Sequence, residues 1–438
     1  MYIVYMIVDN IQNLEEIEND SVFLYPILRD DRLHKHHNPI VGFVIIDTAT
    51  KKPYTISNGH PEGLYNSDDL SFLKDKKVYC YNMVAFKYAG YDVSNFYDTK
   101  MQYYLYTSQG YNQETPGIVN HFNRQYHNCY KINELISLYK HEEIALKIFE
   151  ESFVKDIQPG LSFYQTDMLD AFLGIEKNGI RVDLPQFTQR FGNTTSRQGD
   201  YSFTEYNYYT TTGRPSNRFG GINFAALNKE DDTRNVFMSR HENGVLVELD
   251  FNSYHPRLIA ELIGYDFGKD NVYEHLAKHY NNTTTPTKKE ISEAKEATFR
   301  QIYGGIRKEY LHIPFFATTN DLAYMLWNDA NAQGYIQSPI SGRKLMLANY
   351  QDINCFTLFN YFIQMYETEC NAMILKKVHK LLEDKITKPI LYTYDSILFD
   401  TNEEELSYLI DTVIPKAIDI EKFPVKIKKG NTYGSLKV

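Results

Sequence analysis

Two short apolar runs with a lone carboxylate between them constrain this chain more than any other feature. Leu391-Tyr392-Thr393 and Ser396-Ile397-Leu398-Phe399 flank Tyr394-Asp395. Aromatic and β-branched residues on both sides of a two-residue gap predict antiparallel strands joined by a tight turn, with Asp395 at its tip. Well upstream, Val245-Leu246-Val247-Glu248-Leu249-Asp250 reads as a buried strand ending in an acid. Acids on adjacent strand ends can hold two divalent cations, the arrangement that serves in-line phosphoryl transfer. Each acid also has a plainer reading. Asp favours turns because its side chain bonds its own backbone, and solvated acids at strand ends are frequent.

At 438 residues the chain has room for two or three domains with sizeable cores. The 37 tyrosines, against one tryptophan, suit stacking on bases, but an AT-biased genome is the plainer explanation and ranks first. A formal charge of −10 excludes nucleic-acid binding through overall basicity and leaves only a local basic groove. Cys80, Cys129, Cys355 and Cys370 form no CxxC pair, so reduced thiols and no zinc site are expected. Met1 to Val8 is apolar, but too short for a signal peptide and without a basic leader. No stretch approaches the ~20 apolar residues that span a bilayer. A soluble cytoplasmic protein with no membrane partner is the expectation.

Along the chain, residues 1–155 read as mixed α/β. Val22 to Tyr25, Gly42 to Asp47 and Lys77 to Tyr81 look like strands; Asp98 to Thr107 and Ile132 to Phe149 look helical. A helix from Phe163 to Lys177 stops at Asn178-Gly179, a C-cap signal. Thr195 to Asp200 reads as a polar loop, and Thr233 to Asp250 as strand-like. Pro256 opens a helix over Arg257 to Ile263, Asn281 to Thr287 is a polar loop, and Lys288 to Tyr303 and Phe356 to Glu383 are helices.

Five segments then fall in an order that resembles the family A DNA polymerases. Thr212-Gly213-Arg214-Pro215-Ser216-Asn217, with Gly221-Ile222-Asn223-Phe224, is similar to the family's TGRxSS…NxQN stretch beside the primer. Asp250-Phe251-Asn252-Ser253 resembles motif A, and Lys295, Phe299, Tyr303 and Gly304 match the KxxxFxxxYG spacing of motif B. Gly334-Tyr335 with Gly342-Arg343-Lys344 is similar to the GYxxTxxGRRR segment. Asn360 to Gln364, followed by Tyr394-Asp395-Ser396, resembles the NxPxQ helix and motif C. The likeness spans Met168 to Val438, and order and spacing carry it, since any one short motif is weak. On a helix Lys295, Phe299 and Tyr303 share one face, a pattern that a core helix with a snorkelling lysine also produces.

The resemblance implies an α+β (mixed α/β) chain. An RNase H-like exonuclease-like domain (1–155) leads to a connector and reduced thumb (156–210), palm (211–264), fingers (265–335) and the rest of the palm (336–438). It implies a compact, phage-type DNA polymerase with Asp250, Asp395 and the Phe251 carbonyl on two Mg²⁺ ions, Mn²⁺ serving as substitute. Lys295 would neutralise the triphosphate, with Phe299, Tyr303, Tyr254 and His255 around the nucleotide. Arg214, Asn223, Arg343, Asn360 and Gln364 would contact DNA, and Lys288, Lys289, Arg300, Arg307 and Lys308 would add positive potential. Primer–template DNA and dNTPs are the implied partners, with a processivity factor or other replisome protein.

Three departures qualify the likeness. His255 stands where motif A has a sugar-sensing Glu, and Ser396 where motif C has Glu. Tyr254 or His255 would then block a 2′-hydroxyl. The front segment resembles the exonuclease domain at Asn82 to Lys87 and Asp98 to Met101. There Tyr25, Ile27 and Lys87 stand at acid positions, and Glu143 stands for an Asp. Asp183 to Thr211 is far too short for a helical thumb. A single-subunit RNA polymerase or primase-like enzyme, and a non-catalytic nucleic-acid-binding protein on a polymerase fold, are the alternatives.

Overall fold

The computed structural model describes residues 6–7, 17, 19–30, 33–63, 66–108, 136–192, 194, 197–217, 222–228, 230–268 and 271–438. Residues 132–135 of the expected helix, Thr195, Gly221, Cys129 and most of Met1 to Val8 lie outside them.

The N-terminal sheet runs in the order Met6–Ile7, Pro53–Ser57, Ile40–Asp47, Ser21–Leu28, Lys77–Cys80 and Phe96–Asp98. Ser21–Leu28 pairs antiparallel with Ile40–Asp47 and parallel with Lys77–Cys80. Every residue of Ile40–Asp47 is buried, as a strand covered on both faces requires. The Met83–Ala89 helix supplies Met83, Ala85 and Phe86 to one face. The Leu138–Ser152 helix supplies Leu138, Ile144, Ala145, Ile148 and Phe149 to the other.

A helical run from Leu161 to Glu176, with a π segment over Tyr164–Met168, leads out of this layer. Gly179, at φ 61°, turns it into the Ile180–Val182 strand. Among the described residues from Asp183 to Thr211 there is one eight-residue helix, Leu184–Phe191, and a small hairpin of Arg197–Gln198 with Tyr201–Ser202. Residues 197–200 are therefore hairpin, not the free loop expected, because Tyr201 and Ser202 also pair with Arg181 and Ile180.

The C-terminal sheet orders Lys388–Thr393, Ser396–Asn402, Gly244–Phe251 and Val425–Gly430, all antiparallel. The expected hairpin is there, and the strand ending in Asp250 lies beside it, with Asp250 opposite Ser396. One face (Val247, Leu249, Ile397, Phe399) packs on Phe172, Ala372 and Leu375 of the Leu161–Glu176 run and the long Cys355–Leu381 helix. The other (Leu246, Leu398, Ile390) packs on Phe187, Phe224 and Phe237. Upstream of Gly244 the predicted strand breaks into a 3-10 turn, Asp232–Val236, and the short Phe237–Met238 strand.

A third core gathers the Val272–Tyr280, Lys288–Gly304 and Pro314–Gln333 helices against Leu358, Phe359 and Phe362 of the long helix. The Lys288–Gly304 helix starts at a capping box of Thr287 and Glu290, which satisfies two otherwise orphaned backbone donors. Among the described residues no helix is long and apolar enough to cross a membrane.

Candidate active site

Strand pairing brings the two acids together. Asp250 is the last residue but one of its strand and lies opposite Ser396 beside the hairpin turn, and the Phe251 amide donates to the Asp395 carbonyl at 3.0 Å. The turn is Tyr394-Asp395, and Tyr394 holds a left-handed φ of 60°. Ser253, just after Asp250, does the same at φ 55° and starts the Tyr254–Ile263 helix three residues earlier than expected. Such conformations cost about 1–3 kcal/mol each in a non-glycine residue and gather at functional sites. Here both flank the acids.

The acids open onto a cleft of about 900 Å³. Its walls include Arg214, His255, Lys295, Phe299, Tyr303, Glu367 and Lys428. Cleft walls that strip water from Asp395, and then the charge of Asp250, push the Asp395 carboxyl above its ordinary range. Lys428, on the neighbouring strand, bonds both Glu248 and Asp250, the latter at 3.0 Å. It loses some solvation, but the two carboxylates hold its ammonium above the ordinary value.

The Lys288–Gly304 helix presents the expected face. Phe299 and Tyr303 stack at 5.7 Å with planes 5° apart, and the Lys295 ammonium lies 5.8 Å from the Tyr273 ring. The other cations named on and after this helix do not line the cleft: Lys289, Arg300 and Arg307 pair with Glu293, Glu296 and Glu309. Exposed pairs of this kind contribute little.

Tyr254 and His255 part company. Tyr254 is 5% exposed, stacked on Phe251 at 4.1 Å, with its hydroxyl on Asn371 at 2.9 Å. Though its residue borders the cleft, its ring is core. His255 meets the Tyr303 hydroxyl through Nδ1 and approaches Glu367 Oε2 at 2.9 Å through Nε2.

Of the five residues expected on DNA, four border open surface. Arg214 lies 3.3 Å from Glu367 and stacks on Tyr394 at 3.9 Å. Gln364 accepts from Thr212 at 3.3 Å, and Asn360 donates to the Tyr303 carbonyl at 3.0 Å. Asn223 lines a smaller hollow beside Tyr394. Arg343 is the correction. It is 0% exposed, donates to Tyr164 and the Thr211 carbonyl at 3.1 Å each, and stacks 4.6 Å from Tyr104. With no exposed surface to offer a DNA strand, it ties the Thr211 loop to the N-terminal layer.

Sequence reasoning missed Glu367, Lys428 and Tyr273. Glu367 stands three residues after Gln364, so the helical period put it within reach of that face. Lys428 is placed by strand register alone.

The N-terminal acids go elsewhere. Asp98 is fully buried and caps the Thr99–Thr107 helix, accepting from the Lys100 and Met101 amides. Ile27 is core, Tyr25 stacks on Tyr81, and Lys87 pairs with Asp170 at 2.7 Å. Glu143 pairs with Lys140, whereas its neighbour Glu142 is buried against Thr55.

No family model and no curated protein matches the sequence. Solved structures match its fold. The POL domain of Pol1 from M. smegmatis, in complex with DNA primer-template and dNTP, aligns at a TM-score of 0.65 and 13% identity over 97% of each chain. The likeness is one of architecture: this chain is built like a DNA polymerase domain.

Proposed function

We propose that the chain is a template-directed DNA polymerase of the family A type, extending a primer 3′ end with deoxynucleotides. The observation that carries this is the meeting of Asp250 and Asp395 on adjoining strand ends, in one cleft with Lys295, Phe299 and Tyr303. Among the described residues no three His, Cys, Asp or Glu side chains gather as a ready-made metal centre. The pair still fits hard divalent cations, since two adjacent oxygen donors of like charge are relieved by a cation between them. Asp250, Asp395 and the Phe251 carbonyl would hold two Mg²⁺ ions, or Mn²⁺. Such ions supply activation of the primer hydroxyl and charge neutralisation at the triphosphate and leaving pyrophosphate.

The chain's own groups do the rest. The Lys295 ammonium draws in the triphosphate, and the parallel rings of Phe299 and Tyr303 offer the base a platform. Arg214, Asn223, Asn360 and Gln364 line the primer–template side, so binding weakens with salt. The N-terminal layer fits an exonuclease-like domain without proofreading: three antiparallel strands are followed by two parallel ones, but the acid positions hold Tyr25, Ile27 and Lys87. The short stretch from Asp183 to Thr211 grips little duplex, so synthesis after one binding event is distributive. A phage replication role and a processivity partner belong to the same proposal.

Primer extension with Mg²⁺ tests it. The wild-type chain extends with dNTPs in template order, and Asp250→Ala and Asp395→Ala each abolish extension while duplex binding persists. Activity retained in either variant overturns the reading. Preference for NTPs over dNTPs, which the unusual His255 makes worth measuring, moves the assignment to an RNA polymerase or primase-like enzyme.

A further inference from the structure

Glu367 borders the cleft where two of its walls meet. It sits on the Cys355–Leu381 helix with no exposed surface. Its Oε2 is 2.9 Å from His255 Nε2 and 3.3 Å from Arg214 Nε. Burial pushes the carboxyl up, but His255 and then Arg214 outweigh it and hold Glu367 below the ordinary range. Each partner carries the contact onward. His255 meets the hydroxyl of Tyr303, on the nucleotide-side helix. Arg214 covers the ring of Tyr394, the left-handed residue preceding Asp395.

We infer that Glu367 is a positioning residue, which fixes the Tyr303 wall, through His255, and the Asp395 turn, through Arg214 and Tyr394, in register with one another. The inference rests on the polymerase reading. A buried carboxylate keeps its charge only while its partners stay in place, so neither branch can move without loosening the other. Glu367 itself touches no reacting atom. Its effect is geometric, and misplacement by about 1 Å can cost on the order of 10²-fold in rate.

Single-nucleotide incorporation by the full chain tests this, with kcat and KM for the dNTP measured separately beside thermal melts. Glu367→Gln keeps shape and removes charge. It should lower kcat/KM by roughly 10²-fold. His255→Asn should account for its KM component and Arg214→Lys for its kcat component, so that each double variant is no worse than Glu367→Gln alone. The coupling is also readable without altering the buried acid. His255→Asn and Arg214→Lys, which meet on Glu367, should be non-additive. If the effects simply multiply, if Glu367→Gln stays within about twofold of wild type in both constants, or if kcat and KM change only as far as the fold melts, the inference falls. A wild-type chain that extends no primer overturns the polymerase reading, and this inference with it.

Discussion

Asp98 ends a strand of the N-terminal sheet, as Asp250 nearly ends one of the C-terminal sheet, and the two acids have opposite surroundings. Asp98 has no exposed surface and gives Oδ1 to two helix amides, at 2.9 and 3.1 Å. The Asp250 side chain is 34% exposed and lies beside a second acid and a lysine in an open cleft. One acid is closed off inside its own chain, where burial favours its neutral form despite the helix amides; the other is open to solvent and shares a cleft with a like charge. Residue type and strand position are alike in both sheets. What separates the capping carboxylate from the candidate catalytic one here is access, since the fold encloses Asp98 and leaves Asp250 open in a cleft beside a like charge.

The largest expected effect breaks this comparison if it fails. Asp395→Asn should lower nucleotide incorporation by about 10³-fold or more. The melting temperature should hold or rise, because the substitution removes a charge that desolvation and Asp250 both disfavour. Incorporation and a thermal melt on the same preparation check it. A large drop in melting temperature would recast Asp395 as structural. In the N-terminal sheet the counterpart assay is an end-labelled primer in Mg²⁺. It should stay full length, and shortening would mean that this layer keeps a working acid cluster.

A smaller effect sharpens the contrast. Glu142 is buried with one oxygen on Thr55 and the other without a partner, and burial pushes its carboxyl up from 4.5 to about 7. The folded chain then binds more protons than the unfolded chain between about pH 4.5 and 7, so stability falls as pH rises through that window. Glu142→Gln keeps the acceptor for Thr55 and removes the charge. It should add about 1–3 kcal/mol above pH 7 and little near pH 4.5. Urea unfolding at pH 5 and pH 8 measures the difference; equal gains at both would refute the charge explanation.

Much of this was legible because it is local. Two short apolar runs around Asp395 specify strands and turn within ten positions, and Lys295, Phe299 and Tyr303 lie on one helix, where the period alone aligns them. Tyr254 and His255 were not separable, since adjacent helix positions point about 100° apart and only the packing of Phe251 and Asn371 decides which is core. Arg343 was misread because a sequence shows a charge but not the Tyr104 and Tyr164 rings that enclose it. Glu367 and Lys428 depend on contacts between segments more than a hundred residues apart, set by register and helix crossing, which no short window contains.

The smallest effect is expected at Asp98. Asn caps helices about as well as Asp, so Asp98→Asn should keep both amide contacts and leave primer extension within about twofold of wild type. Its pH signature is the informative part. Burial raises the carboxyl from 3.8 to about 6, against the pull of the helix amides and Lys100. The raised value means that wild-type stability declines as pH climbs through about 6, whereas an amide has no such slope. Below pH 5 the folded wild type carries a neutral Asp98, which Asn mimics, so there the two should melt within a few degrees of each other. At pH 8 the variant should be the more stable. A flat difference across that range would mean that Asp98 keeps its charge in the fold, as a metal-binding acid does. A tenfold loss of extension with normal melting would tie this acid to the cleft, and the N-terminal layer would then be part of the catalytic apparatus.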